Sequence, residues 1–224
     1  MKRLATAILF LATAHASAVI VFDQHPNLNL EPPAEFGGQW PSLVKWQLCQ
    51  GTAISPYHFL TAAHVGGSVG DRALLYGGSL VLETVSVTIH PDSDLAIWEV
   101  STPFPTWSDA YRGSGELGME AWMFGRGAQK GVGLYGKDGE LDGWKWGRWD
   151  GAMRWGVNTI EDVSPDWLWT DFDPLPGECM LMGGDSGGPL YIQKDDRWWL
   201  AGINVAVDGG YSLEPDAPQD LYAI

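Results

Sequence analysis

The chain has 224 residues, among them 29 Gly, 14 Pro and 13 Trp, a composition that excludes a coiled coil and suits one large all-β domain or two small ones. With a formal charge of −15, binding a nucleic-acid backbone would require a local basic patch that this composition barely supplies, so nucleic acid is set aside as a partner. With 45% apolar and 18% charged residues, the chain can bury a sizeable core and is not disordered. Lys2 and Arg3, an apolar run from Leu4 to Ala14, and Ala16-Ser17-Ala18 together read as a signal peptide over residues 1–18, so the product is expected to be secreted, extracellular or periplasmic. The apolar run is shorter than the roughly 20 residues a membrane span needs, and no membrane partner is expected.

Short strands follow. Val85, Val87 and Ile89 alternate with hydroxyl residues, which predicts a half-buried strand with those three on the covered face. His90-Pro91-Asp92 breaks it, and Leu95-Ala96-Ile97-Trp98 is a continuous apolar run, predicted to be a strand buried on both sides. Turn signals at Gly66-Gly67, Gly77-Gly78, Lys137-Asp138-Gly139 and Asp208-Gly209-Gly210 favour an antiparallel barrel or sandwich. The shift to Ser-Thr-Pro-Phe-Pro and Arg-Gly-Ser-Gly over 101–115 marks a boundary between subdomains 19–108 and 109–224. Cys49 and Cys179 allow either one bridge or two inert buried thiols. No metal-ligand spacing is visible, so no metal site is expected. The tryptophans at 144, 146, 149, 155, 167, 169, 198 and 199 are expected to fill core, the alternative being an exposed aromatic stripe that binds a polysaccharide or peptide.

Chemistry concentrates in Gly184-Asp185-Ser186-Gly187-Gly188-Pro189, where flanking glycines let the backbone turn tightly beside a substrate carbonyl. A serine hydroxyl is a weak nucleophile and needs a base, which in turn needs a group to fix its tautomer. His15 leaves with the signal peptide, His25 and His58 lie in loop and turn contexts, and His90 precedes a proline. His64, within Leu60-Thr61-Ala62-Ala63-His64, remains. Asp94 directly precedes the apolar strand, whereas its neighbour Asp92 reads as a solvated turn residue.

These motifs resemble those of the chymotrypsin-like (trypsin-fold) serine proteases over most of the exported chain. Gly51-Thr52-Ala53-Ile54-Ser55 leading to Thr61-Ala62-Ala63-His64, then Asp94-Leu95-Ala96-Ile97, then Gly184 to Pro189, match in His, Asp, Ser order, an order other triad folds do not share. Trp122-Met123-Phe124-Gly125 and Leu200-Ala201-Gly202-Ile203 are similar to strands of the second barrel. The resemblance implies two antiparallel six-stranded β-barrels with the active site in the cleft between them. It implies Ser186 as nucleophile, His64 as general base, Asp94 as orienting carboxylate, and the N–H groups of Gly184 and Ser186 as oxyanion hole. No cofactor is implied, the partner is a peptide or protein substrate, and a monomer is the default state. A secreted esterase, or a catalytically silent binding module using the tryptophan-rich surface, are the competing functions.

The sequence departs from the family at several places. Val65 stands where many relatives carry the cysteine that pairs with the one matching Cys49, and Met182 stands four before the nucleophile where another is common. The pocket-base position, six before the serine, is Met180, and the pocket walls fall on Val205, Ala206 and Val207, which together imply apolar substrate residues. Glu178 or Asp173 would reverse that preference if a shifted loop brought either into the pocket. Relatives activated from zymogens pair a new N-terminal amine with the residue matching Asp185; signal removal after Ala18 would expose Val19-Ile20-Val21 for that purpose.

Overall fold

The computed structural model describes residues 19–22, 29–173 and 175–207, and the backbone of 219–223. The expected signal peptide over 1–18, His25 and the expected turn at 208–210 lie outside the described residues. After a short β1 (Ile20–Val21), six strands close an antiparallel barrel: β2 (Leu43–Trp46), β3 (Cys49–Ser55), β4 (His58–Ala62), β5 (Arg72–Leu75), β6 (Val81–Ile89) and β7 (Leu95–Val100), in the order β2-β3-β4-β7-β6-β5. Closure leaves no unpaired edge. Inward residues of each strand meet in one cluster that includes Val44, Trp46, Phe59, Leu82, Trp98 and Phe104. Trp46 packs edge-on to Phe59 with centroids 5.2 Å apart and tilted against Trp98 at 4.8 Å, the offset arrangements aromatic rings prefer.

Two expectations for this half are corrected. Val85, Val87 and Ile89 are exposed, and Leu82 and Thr84 are the buried residues of β6. A bulge between Thr84 and Ser86 shifts the register against β7 and sets Val87 and Ile89 opposite the inward Trp98 and Ala96. No residue of β6 beyond Thr84 is buried, however, so that end of the strand lies outside the packed core. β7 is not buried on both sides: Ala96, Trp98 and Val100 point into the barrel while Ile97 is exposed. A barrel wall has one covered face, so an apolar run overstates its burial.

The linker over residues 101–119 places Phe104 in the barrel core and makes an isolated parallel bridge from Ala110 to Leu200. Beyond it come β8 (Glu120–Gly125), β9 (Ala128–Tyr135), β10 (Leu141–Trp149), β11 (Arg154–Thr159), β12 (Asp162–Ser164), β13 (Trp167–Asp171), β14 (Cys179–Met180), β15 (Pro189–Lys194), β16 (Arg197–Val207) and β17 (Gln219–Ala223). Seven of these form one sheet ordered β11-β8-β15-β16-β17-β13-β12, while β9 and β10 make a separate hairpin and β14 pairs with β1. Where six strands closed into a second barrel were expected, the described residues form a seven-stranded sheet with no ladder joining β11 to β12. Asn158 on β11 instead donates to the carbonyls of Asp171 and Cys179 at 2.7 and 2.8 Å, so a side-chain amide ties that edge to the other end of the sheet.

Residues of both halves share a buried cluster containing Leu43, Ala62, Phe124, Tyr191, Leu200 and Ile203. The segment before β2 is stapled to the sheet by aromatic contacts: Phe36 stacks on Trp198 at 4.1 Å, and the indole N–H groups of Trp155 and Trp198 donate to the carbonyls of Glu31 and Glu35. Core filling therefore accounts for Trp46, Trp98, Trp122 and Trp144, whereas Trp107, Trp146 and Trp149 are exposed. The two cysteines are not bridged to each other. Cys49 lies on the barrel and Cys179 sits opposite Val21 in the second half, which removes the bridge as an option. Among the described residues no helix is long and apolar enough to cross a membrane.

Candidate active site

Strand pairing brings His64 and Asp94 together. β4 runs antiparallel to β7 with Ala62 opposite Leu95, so the residues just past one strand and just before the other are neighbours. A 3-10 turn over Ala63–Val65 then lifts His64 out of the strand. The Ala63 N–H donates to the Asp94 carbonyl at 3.0 Å and the His64 N–H to Asp94 Oδ1 at 2.8 Å. The following loop is pinned to the barrel core, because Trp46 Nε1 donates to the Gly66 carbonyl at 2.8 Å. Gly67, at φ +120°, lies so close to Trp46 that a Cβ would come within 2.1 Å of the ring.

Ser186 arrives from the other half, on the loop between β14 and β15. Its carbonyl accepts from the Gln50 N–H at 3.3 Å, and the Gly187 N–H donates to the Asn204 carbonyl at 2.8 Å. Gln50 Nε2 and Asn204 Nδ2 both donate to the carbonyls of Phe124 and Asp185. These two fully buried amides fix the loop between barrel and sheet. The result is a continuous relay: His64 Nε2 lies 2.7 Å from Ser186 Oγ, and His64 Nδ1 lies 2.5 Å from Asp94 Oδ2. All three residues singled out in the sequence are therefore joined through His64. Asp94 takes both its carboxylate bonds from His64, with no third donor among the described residues.

The geometry beside Ser186 suits a developing negative charge. The Gly183 carbonyl accepts from the Ala128 N–H at 2.9 Å, and a trans peptide directs the Gly184 N–H the opposite way. Neither that N–H nor the one of Ser186 has an acceptor among the described residues. Gly184 adopts φ +97°, a conformation that glycine reaches without the penalty a Cβ imposes.

Asp185 points away from solvent and is 1% exposed. Its carboxylate accepts from the N–H groups of Gly127 and Met182, each at 2.7 Å, and of Val19 at 3.3 Å. Burial pushes its pKa up to about 6, with those three N–H bonds and the field of Arg154 opposing the rise. Gly125 and Gly127 are indispensable here: a Cβ at 125 would come within 2.0 Å of Asp185 Oδ1 and one at 127 within 2.6 Å of the Gly183 carbonyl. Sequence reasoning missed Gly127, Gln50 and Asn204. The Gly125-Arg126-Gly127 spacing was a visible signal for the cradle; the two amides left none.

Next to Ser186 lies an apolar cavity of about 60 Å³ lined by Leu181, Met182 and Gly183 on one side and Asn204, Val205, Ala206 and Val207 on the other. The expected walls are present, but Met180 is not part of the lining. It pairs with Ile20 in the ladder of β14 and β1, and its side chain packs with Ile20, Phe172 and Met182. The floor is thus set by the next two residues, after the chain has left the strand. Glu178 and Asp173 do not reach this cavity. Glu178 lines a separate surface depression with Asn158 and Leu175, where burial, with the nearby carboxylates of Asp173 and Glu161 adding to it, raises its pKa to about 7.

Such an arrangement can deprotonate the Ser186 hydroxyl through His64, hold the imidazolium against Asp94, and offer two N–H groups to an oxyanion. Compared with protein-family models the chain matches none, and compared with curated proteins it matches none either.

Proposed function

We propose that this chain is a secreted serine endopeptidase of chymotrypsin-like type, acting through an acyl-enzyme on Ser186. The observation that carries the reading is the unbroken contact from the 186 hydroxyl through the 64 imidazole to the 94 carboxylate, at 2.7 and 2.5 Å, beside two unengaged N–H groups. Ser186 Oγ attacks the scissile carbonyl as its proton passes to His64 Nε2. The carbonyl oxygen, now negative, accepts from the N–H groups of Gly184 and Ser186, donors worth about 3 kcal/mol each in such sites. The C–N bond then breaks and Nε2 returns the proton to the leaving amine; water repeats the sequence to release the acid. The nucleophile and the group that relays the proton to the leaving amine and from water both belong to one chain, so the scheme calls for neither a cofactor nor a second subunit. In this reading the seven-stranded sheet plays the part of the second barrel and the site lies in the cleft between the halves. The small apolar cavity selects a small apolar residue on the acyl side.

Removal of the signal peptide belongs to the same reading. Val19 is fully buried with φ +47°, a left-handed backbone that costs a β-branched residue roughly 1–2 kcal/mol. That cost exists only while a residue precedes Val19. Cleavage after Ala18 removes it and turns the N–H that faces Asp185 into an ammonium, giving the buried carboxylate a counter-charge.

Hydrolysis of a peptide library tests the proposal. Cleavage after small apolar residues is expected, falling about 10⁴-fold or more in Ser186→Ala and in Asp94→Asn. Equal turnover by Ser186→Ala contradicts it, and turnover confined to esters assigns the triad to an esterase.

A further inference from the structure

Trp146 stands out among the large exposed side chains because it borders the reacting centre. It lies on β10 and is 53% exposed, yet one edge of its ring covers Gly183. A Cβ at position 183 would come within 2.2 Å of Trp146 Cζ3 and 2.6 Å of its Cη2. The indole thus fills the space a side chain at 183 would take, one residue ahead of the Gly184 N–H.

The side of the nucleophile on which it lies follows from the contacts of residues 183–186. One side of that segment faces Asn204 to Val207 across the small cavity. The opposite side meets the base of the hairpin: a Cβ at Gly184 would come within 2.9 Å of Gly127 Cα, and the Gly183 carbonyl is bound by Ala128. The same wall continues toward the barrel. Trp149 Nε1 donates to the Arg126 carbonyl at 2.7 Å, Arg126 Nη1 donates to the Cys49 carbonyl at 2.9 Å, and the adjoining Gln50 N–H holds the Ser186 carbonyl. A substrate whose acyl-side residue enters the cavity must therefore carry its leaving group along the face formed by Cys49, Arg126, Trp149 and Trp146.

Resting on the peptidase reading above, we propose that Trp146 is a specificity-determining residue of the leaving-group side. Its exposed ring receives a large apolar or aromatic side chain from the first two residues beyond the scissile bond. The occupant follows from the chemistry of the wall. A flat, half-exposed indole gains most from covering apolar or aromatic surface. The guanidinium of Arg126 is already committed to the carbonyls of Cys49 and Gly151, so it is not the element that selects.

Peptides that share one acyl half and carry Phe or Gly at each of the first two leaving-group positions test this. They are to be compared with an ester of the same acyl half and a small alcohol, and with fluorophosphonate labelling of Ser186. In the wild type, kcat/KM for the Phe peptides is expected to exceed that for the Gly peptides by about 10-fold or more. Trp146→Ala is expected to erase that preference, while ester hydrolysis and labelling stay within about threefold of wild type; Trp146→Phe is expected to retain most of it. Loss of the same size on every substrate and in labelling would show that Trp146 only supports the loop, and an unchanged preference would show that it makes no contact; either overturns the proposal. Failure of the wild type to label at all removes the peptidase reading itself, and this inference with it.

Discussion

At the scale of single residues, the positions that matter most are those that allow two backbones to touch. Gly187 has φ +76°, and a Cβ there would come within 2.1 Å of the Gln50 carbonyl oxygen and 2.2 Å of Thr61 Oγ1. Neither the backbone conformation nor the space admits a side chain, and the obstacle is a carbonyl fixed in a strand. Gly187→Ala is therefore expected to lower stability by about 2 kcal/mol or more and to displace Ser186 from His64. Thermal unfolding and turnover of the same variant check both effects. Wild-type stability in that variant would mean that the loop has room the contacts deny it. The sequence made Ser186 and its glycines legible because the requirement is local. His64 and Asp94 were legible as well, each lying at the end of a strand whose apolar pattern can be read. Gln50 and Asn204 were not, since a buried amide that bridges two distant carbonyls leaves no periodic or local mark.

At the scale of elements, the pairing of β1 with β14 connects residues 20–21 to the segment that leads into the Ser186 loop. Ile20 lies opposite Met180 and Val21 opposite Cys179, and Met182 then donates to Asp185. With Val19 as an ordinary amide, Asp185 is a buried acid whose pKa stands near 6 against an ordinary value of 3.8. The folded state then holds a proton that the unfolded chain releases, so stability is greatest below about pH 4 and falls as pH rises toward 6, by up to about 3 kcal/mol. A chain beginning at Val19 supplies an ammonium, which favours the ionised carboxylate and opposes that fall. Comparing it with a chain that keeps Ser17-Ala18 ahead of Val19 is expected to show the longer form losing stability between pH 4 and 6 relative to the shorter one, with reduced turnover at neutral pH. Parallel stability profiles and equal activity would exclude a role for export cleavage. Strand existence was well marked in the sequence, but burial was not. β6 leaves the packed core after Thr84, so Val85, Val87 and Ile89 are exposed, and the one-sided cover of a barrel wall leaves Ile97 exposed. The displacement of Met180 has the same origin: its side-chain direction is fixed by a partner strand about 160 residues away.

At the scale of the whole molecule, the site exists only because two differently built halves meet. The barrel half contributes His64 and Asp94; the second half contributes Ser186, the N–H groups of Gly184 and Ser186, and the small cavity. Gln50 and Asn204 join them through the same two carbonyls, and Arg126 ties the hairpin to the barrel. An all-β architecture was readable from short strands and frequent turns. The number of strands in the second half was not, because whether a curled sheet closes depends on register between strands far apart in sequence. The central claim is that Ser186 is an activated nucleophile, and stoichiometric reaction with a fluorophosphonate tests it most directly. One label per folded molecule on Ser186, absent from Ser186→Ala and slowed by orders of magnitude in His64→Ala, is the expected result; a folded wild-type protein that takes up no label would contradict it.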